Sequence, residues 1–119
     1  AMFILSYITT FTSSVKEVNT HEMTLLVNKE DAVIFDTRPQ KEFKAGHIVG
    51  ARQIKPEEVR AKDFKKLENV KDKPIIVVCA MGNGARGIAA AMNKAGFANV
   101  KVLKGGMNAW NSAGLPVAK

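Results

Sequence analysis

The chain has 119 residues, the length of one domain that buries about two-thirds of its unfolded surface without disulfides or metals. With 46% hydrophobic and 24% charged residues the composition is ordinary for a soluble globular protein, and a net charge of +7 is open to nucleic acid, an acidic membrane surface or small anions. The basic residues are scattered, with no block interleaved with aromatics, so nucleic acid is not the expected partner. The single cysteine, Cys79, excludes an internal disulfide and points to a reducing, cytoplasmic setting; His21 and His47 stand at unrelated spacings from it, so no metal and no cofactor is expected.

Residues 1–14 read as an extension ahead of the domain, which spans 15–119. The apolar start MFILSYI is too short to cross a bilayer, which takes ~20 residues, and it lacks the basic flank and cleavage site of a signal peptide. Two readings stay open. It is the trailing end of a membrane anchor, which would tether the domain to the inner face of the membrane, or it is an extension packed on the domain.

Residues 15–18 form a short strand, and Asn19 caps a helix running to about residue 28, with Glu22 three positions on. AVIF (32–35) is a buried strand ending at Asp36. Pro39 opens a short helix that stops before Gly46, ARQI (51–54) is a brief strand, and Pro56 starts another helix. A further helix is expected over 62–70 and a turn over 71–74. IIVV (75–78), an uninterrupted β-branched run, is a strand covered on both faces. A helix over 85–95 stops at Gly96, VKVL (100–103) is the last strand, GGMNAWNSAG (105–114) is a short helix, and Pro116 ends regular structure. Strands alternating with helices predict an α/β fold, a mostly parallel sheet with helices on both faces. Sites in such sheets lie beyond the carboxyl ends of the strands.

Cys79 stands at one of those ends, in VVCAMGNGARG (77–87). It is either a small buried hydrophobe before a turn or a reactive thiol in a loop of amides. Gly82 and Gly84 let the backbone turn through positive φ, so that successive N–H groups converge as an anion nest. A helix starting at Ala85 adds its unpaired N–H groups and the positive end of its dipole, a setting in which cysteines are reactive. No histidine is near in sequence, so stabilisation by amides is the simpler account of reactivity.

Three segments in order carry a family resemblance. FDTRPQKEFKAGHIVGA (35–51), CAMGNGA (79–85) and AGFANVKVLKGGMNAWNSAGLP (95–116) resemble the Asp-x-Arg and Gly-His-Ile-x-Gly-Ala segment, the active loop and the closing segment of the rhodanese domains, thiosulfate sulfurtransferases and their relatives. The resemblance runs from about residue 15 to 116 and implies a five-stranded parallel sheet of the single-domain type. It implies that Cys79 is the nucleophile, taking the outer sulfur of thiosulfate or a similar small anionic donor as a persulfide. That sulfur then passes to a thiophilic acceptor: cyanide, a thiol or a protein thiol. It also implies that Ala80, Met81, Gly82, Asn83, Gly84, Ala85 and Arg86 form the substrate loop and its flank. One departure matters: many active members carry arginine where this chain has Gly84, and Arg86 is expected to replace part of that charge.

Asp36 and Arg38 support the site, with Asp36 accepting from loop amides and Arg38 paired with a carboxylate such as Glu42. His47 is read as a hydrogen-bonded structural residue in the turn before a strand, Trp110 and Phe97 as core, and Gly105 and Gly106 as room for close approach to the sheet. Two rivals remain. A cysteine phosphatase or arsenate reductase needs arginine after five intervening residues, where Ala85 stands. A persulfide carrier or regulatory module would keep Cys79 yet turn thiosulfate over slowly.

Overall fold

The computed structural model describes residues 15–55, 57–58, 70–80, 83–97 and 99–119. In chain order these form β1 (Lys16–Val18), α1 (Thr20–Glu30), β2 (Val33–Asp36), α2 (Gln40–Ala45), β3 (His47–Ile48), β4 (Arg52–Gln53), β5 (Pro74–Val78), α3 (Asn83–Lys94), β6 (Asn99–Leu103), α4 (Gly106–Ser112) and β7 (Val117–Ala118). The extension over 1–14 and most of the helix expected over 62–70 lie outside the described residues, as does Pro56; Glu57 and Glu58 are helical.

The expected cap on α1 is a full capping box. The Asn19 carboxamide accepts the Glu22 N–H at 2.8 Å, and the Glu22 carboxylate accepts the Asn19 N–H at 3.2 Å, so two otherwise orphaned donors are satisfied. The helix runs two residues past the expected end and stops at Asp31, which takes the left-handed conformation at φ 58°.

Five strands form one sheet in the order β1-β6-β5-β2-β4, and every neighbouring pair is parallel. The β-branched run of β5 takes the centre, paired with β6 on one side and β2 on the other. Ile75, Ile76, Val77 and Val78 have no exposed surface, because helices cover both faces. On one face α3 lays down Ala85, Ile88, Ala89 and Met92, the helical i, i+3, i+4, i+7 stripe, against Ile75, Val77, Val33 and Phe35. On the other, Met23 of α1 and Met107 and Trp110 of α4 cover Ile34, Ile76 and Val78. Phe97 and Trp110 are buried, as expected.

Two expectations need correction. α3 begins at Asn83 rather than Ala85, and Gly84 has helical backbone with no positive φ, so it does not make the turn assigned to it. A glycine tolerates the helical region as readily as the left-handed one, and the burial of Ala85 in the first turn decides between them. Regular structure also does not end at Pro116. Val117–Ala118 pairs antiparallel with His47–Ile48, so His47 lies in a strand rather than a turn. The Trp110 indole N–H donates to the Pro116 carbonyl at 3.0 Å, which directs the chain after Pro116 alongside buried Ile48.

Truncating the central strand tests this architecture. Ile76→Ala is expected to lower the unfolding free energy by about 2–5 kcal/mol in a urea titration. A loss below about 1 kcal/mol would mean that the α1 and α4 face of the strand is not tightly packed.

Candidate active site

Cys79 follows β5 at its carboxyl end. It is 8% exposed and is not in a disulfide. Its side chain falls on the α3 face, in the cluster with Val77 and Ala85. The backbone on either side of the thiol is held by a set of hydrogen bonds that the sequence patterns did not show.

The carbonyl of Val78, just before the cysteine, accepts two donors from one residue: the Thr37 N–H at 2.9 Å and the Thr37 hydroxyl at 3.1 Å. The carbonyl of Cys79 accepts the Met107 N–H at 2.8 Å, and that of Ala80 accepts the Asn108 N–H at 3.0 Å. Met107 and Asn108 lie in the first turn of α4, where backbone N–H groups have no intrahelical partner. The helix start and the loop therefore satisfy each other. The carbonyls of Cys79 and Ala80 thus point to the α4 face, opposite the α3 face that holds the Cys79 side chain, and that of Val78 points along the sheet toward the end of β2. In a planar trans peptide the N–H points opposite to the preceding C=O, so the Ala80 N–H faces away from α4.

This arrangement requires Gly106. Its φ is +55°, and a Cβ there would run into the Cys79 carbonyl oxygen and come within 2.9 Å of the Ala80 carbonyl carbon. The expectation that the glycine pair allows close approach is met, and the surface approached is the loop after Cys79. Met81 and Gly82, and with them the expected amide nest, lie outside the described residues. Ala85 is fully buried against the sheet.

Arg86, in the first turn of α3, is 58% exposed at its side chain and meets the Glu17 carboxylate of β1 at 2.9 Å. Exposed pairs of this kind contribute about 0–1 kcal/mol, so an incoming anion can compete for the guanidinium.

Asp36 and Arg38 form the buried pair of the site. The Arg38 Nη2 lies 2.7 Å from the Asp36 carboxylate and also donates to the Gly46 carbonyl at 2.7 Å. The Arg38 backbone N–H donates to the same carboxylate at 2.9 Å. Arg38 thus pairs with Asp36 rather than Glu42, and both oxygens of the carboxylate accept from Arg38. The reason is local. Asp36 is 1% exposed at a strand end, where a buried charge needs a partner within reach, and the residue two positions on supplies a fork-shaped one. His47 is structural as expected: its Nδ1 lies 2.8 Å from the Phe43 carbonyl, and its ring stacks on Phe43 at 4.0 Å.

A parallel five-stranded α/β sheet, with a lone cysteine after its central strand and a carboxylate–arginine pair at the next strand end, is the frame of the rhodanese-like proteins. The family model described as Rhodanese-like domain matches residues 19–113, and the chain belongs to that family. It is 43% identical to the uncharacterized protein YibN of Escherichia coli over 122 residues, covering 100% of this chain and 85% of YibN. It is 33% identical to the thiosulfate sulfurtransferase GlpE of Pseudoalteromonas translucida, covering 82% of this chain and 90% of that one. Among solved structures it resembles a rhodanese-related protein from Thermoplasma volcanium, with TM-score 0.73 at 28% identity over 87% of this chain and 97% of the other.

Thr37 and the amides of Met107 and Asn108 are the site groups that pattern reading missed. The paired glycines ahead of α4 were the available signal, since a Gly-Gly step before a helix marks a backbone that comes close to another.

The clamp predicts an asymmetry between glycines. Gly106→Ala should cost more than the ~1–2 kcal/mol of left-handed strain alone. Gly50→Ala, at φ +86° with open space around the added methyl, should cost only that strain. Urea titrations of the two variants decide it, and equal losses would show that the approach of α4 to the loop is not tight.

Proposed function

We propose that this chain is a sulfurtransferase that carries sulfur as a persulfide on Cys79. The observation that supports it best is the orientation of the backbone at the thiol. The carbonyls of Val78, Cys79 and Ala80 are engaged by Thr37 and by the first turn of α4, while α3 begins at Asn83, so the positive end of its dipole follows the loop that starts at Cys79. A thiolate and a terminal persulfide are both stabilised where amides converge and carbonyls are withdrawn.

In the loading step the Cys79 thiolate attacks the outer sulfur of thiosulfate. The S–S bond of the donor breaks, its electron pair leaves with sulfite, and Cys79 holds the transferred sulfur as a persulfide anion. In the unloading step a nucleophile attacks that outer sulfur and the electron pair returns to the Cys79 Sγ. Arg86 is the cation assigned to the donor, exchanging its exposed contact with Glu17 for one with the sulfonate end. Asp36 and Arg38 act on the frame: with both charges satisfied, the turn after β2 is stiff, and Thr37 is held where it reaches the Val78 carbonyl.

Gly84, where many active relatives have arginine, favours one variant of this reading, a persulfide carrier with slow turnover on thiosulfate. The phosphatase reading loses support, because the position that needs arginine holds Ala85, fully buried against the sheet. A lone thiol that must stay reduced fits the cytoplasm. Among the described residues no helix is long and apolar enough to cross a membrane. Tethering through the region before residue 15 is a separate proposal, to be tested by fractionating cells that express the full-length gene.

Cys79→Ser should fold as the parent protein does and gain no sulfur atom on exposure to thiosulfate, read by intact-protein mass spectrometry beside the thiosulfate-to-cyanide rate. Sulfur transfer retained by that variant would falsify the assignment. Arg86→Ala should raise the KM for thiosulfate by about tenfold or more, the loss of one charge-assisted contact, with a smaller effect on uncharged donors. Equal losses for all donors would show that the substitution damages α3 instead.

A further inference from the structure

Glu17 faces Arg86 because of the alternation of side chains along the edge strand. β1 pairs with β6 alone. Val18 is buried under α1 and α4, while Val15 packs against the cluster under α3. Successive side chains on a strand point to opposite faces, so Glu17 shares the α3 face with Val15. Lys16, and Lys101 beside it in the register, fall on the other face. The β6 residues in the cluster under α3 are Val100 and Val102. Among the described residues of β1 and β6, Glu17 is therefore the one charge presented to α3, and it meets the Arg86 guanidinium at 2.9 Å.

The pair stands on the same side of the sheet as the thiol. Cys79, Ala85 and Val102 belong to one buried cluster, and the register sets Glu17 beside Val102 and Val102 beside Val77, two residues before the cysteine. Strands are ~4.8 Å apart, so the Glu17 backbone lies about 10 Å from β5. Glu17 is the more enclosed partner, 29% exposed at its side chain against 58% for Arg86, and it is carried by a strand. A carboxylate offers the guanidinium the same kind of contact as a sulfonate oxygen, so an anionic donor has to displace it. With Glu17 ionised the pair presents no net charge; with Glu17 neutral it presents a full positive charge, and the gain grows with the charge of the donor.

We propose that Glu17 is a positioning residue that sets donor specificity. By holding Arg86 as an internal counter-anion, it lowers the affinity of the site for anionic sulfur donors, most for dianionic thiosulfate and less for a monoanionic thiosulfonate. The proposal rests on the assignment of Arg86 to the donor above.

Glu17→Gln keeps the shape of the side chain and removes its charge. It is expected to lower the KM for thiosulfate about two- to fivefold, the range of an exposed ion pair, with a smaller fall for methanethiosulfonate and a smaller change in kcat. In the Arg86→Ala background the same substitution should produce no fall. Thiosulfate is also titrated into Cys79→Ser protein, which has no thiol to react, while the NMR signal of the Arg86 Nε–H is followed. Adding Glu17→Gln should tighten that titration by a similar factor. Equal KM changes for the two donors, a fall that persists without Arg86, or a titration no tighter once Glu17 is neutral would overturn the proposal. The sulfurtransferase reading fails separately, if Cys79 gains no sulfur from thiosulfate, and the titration of the Cys79→Ser protein still decides the role of Glu17.

Discussion

The Met107 and Asn108 amides, bonded to the carbonyls of Cys79 and Ala80, are the contact on which the reactive end of this protein depends. Each partner solves the other's problem. A helix start leaves donors without acceptors, and the chain leaving the strand at Cys79 leaves acceptors without donors. Joining them removes both deficits and fixes the peptide planes beside the thiol. Thr37 does the same for Val78 from the neighbouring strand. The cost is steric: the two backbones come so close that only glycine fits at position 106.

The sheet makes that contact rigid. β5 is buried on both faces between two paired neighbours, so the point where Cys79 leaves it does not shift. β6 runs parallel beside it and delivers the chain directly into α4, while β2 delivers Thr37 and the Asp36–Arg38 pair on the other side. The indole bond to Pro116 and the pairing of β7 with β3 then hold α4 down from its far end. Among the described residues, β5 and α4 are thus each anchored at two points. Arg86 is held much less firmly, by one exposed ion pair.

Much of this was legible in the sequence, for identifiable reasons. An apolar β-branched run such as residues 75–78 has few alternatives to a central parallel strand, and Asn19 with Glu22 has few alternatives to a cap. The cysteine at the strand end and the glycines before residue 107 marked the two halves of the site. What escaped was what depends on tertiary placement. A two-residue strand such as Val117–Ala118 has no pattern of its own and exists because Trp110 aims the chain at Ile48. The partner expected for Arg38 was a carboxylate such as Glu42, yet burial at the strand end gave it to Asp36. Gly84 was read as a turn because glycine permits one, and helix α3 reached back to include it. Backbone amides carry no side-chain signature, so the donors from Met107 and Asn108 were signalled only indirectly, by the glycines ahead of them.

The most direct measurement is a crystal structure of the protein soaked in thiosulfate. The account expects one additional sulfur atom bonded to the Cys79 Sγ, with the Ala80 N–H directed at it and the Cys79 and Ala80 carbonyls still bonded to the first turn of α4. An unmodified Sγ, or a loaded sulfur facing carbonyl oxygens instead of amides, would contradict it.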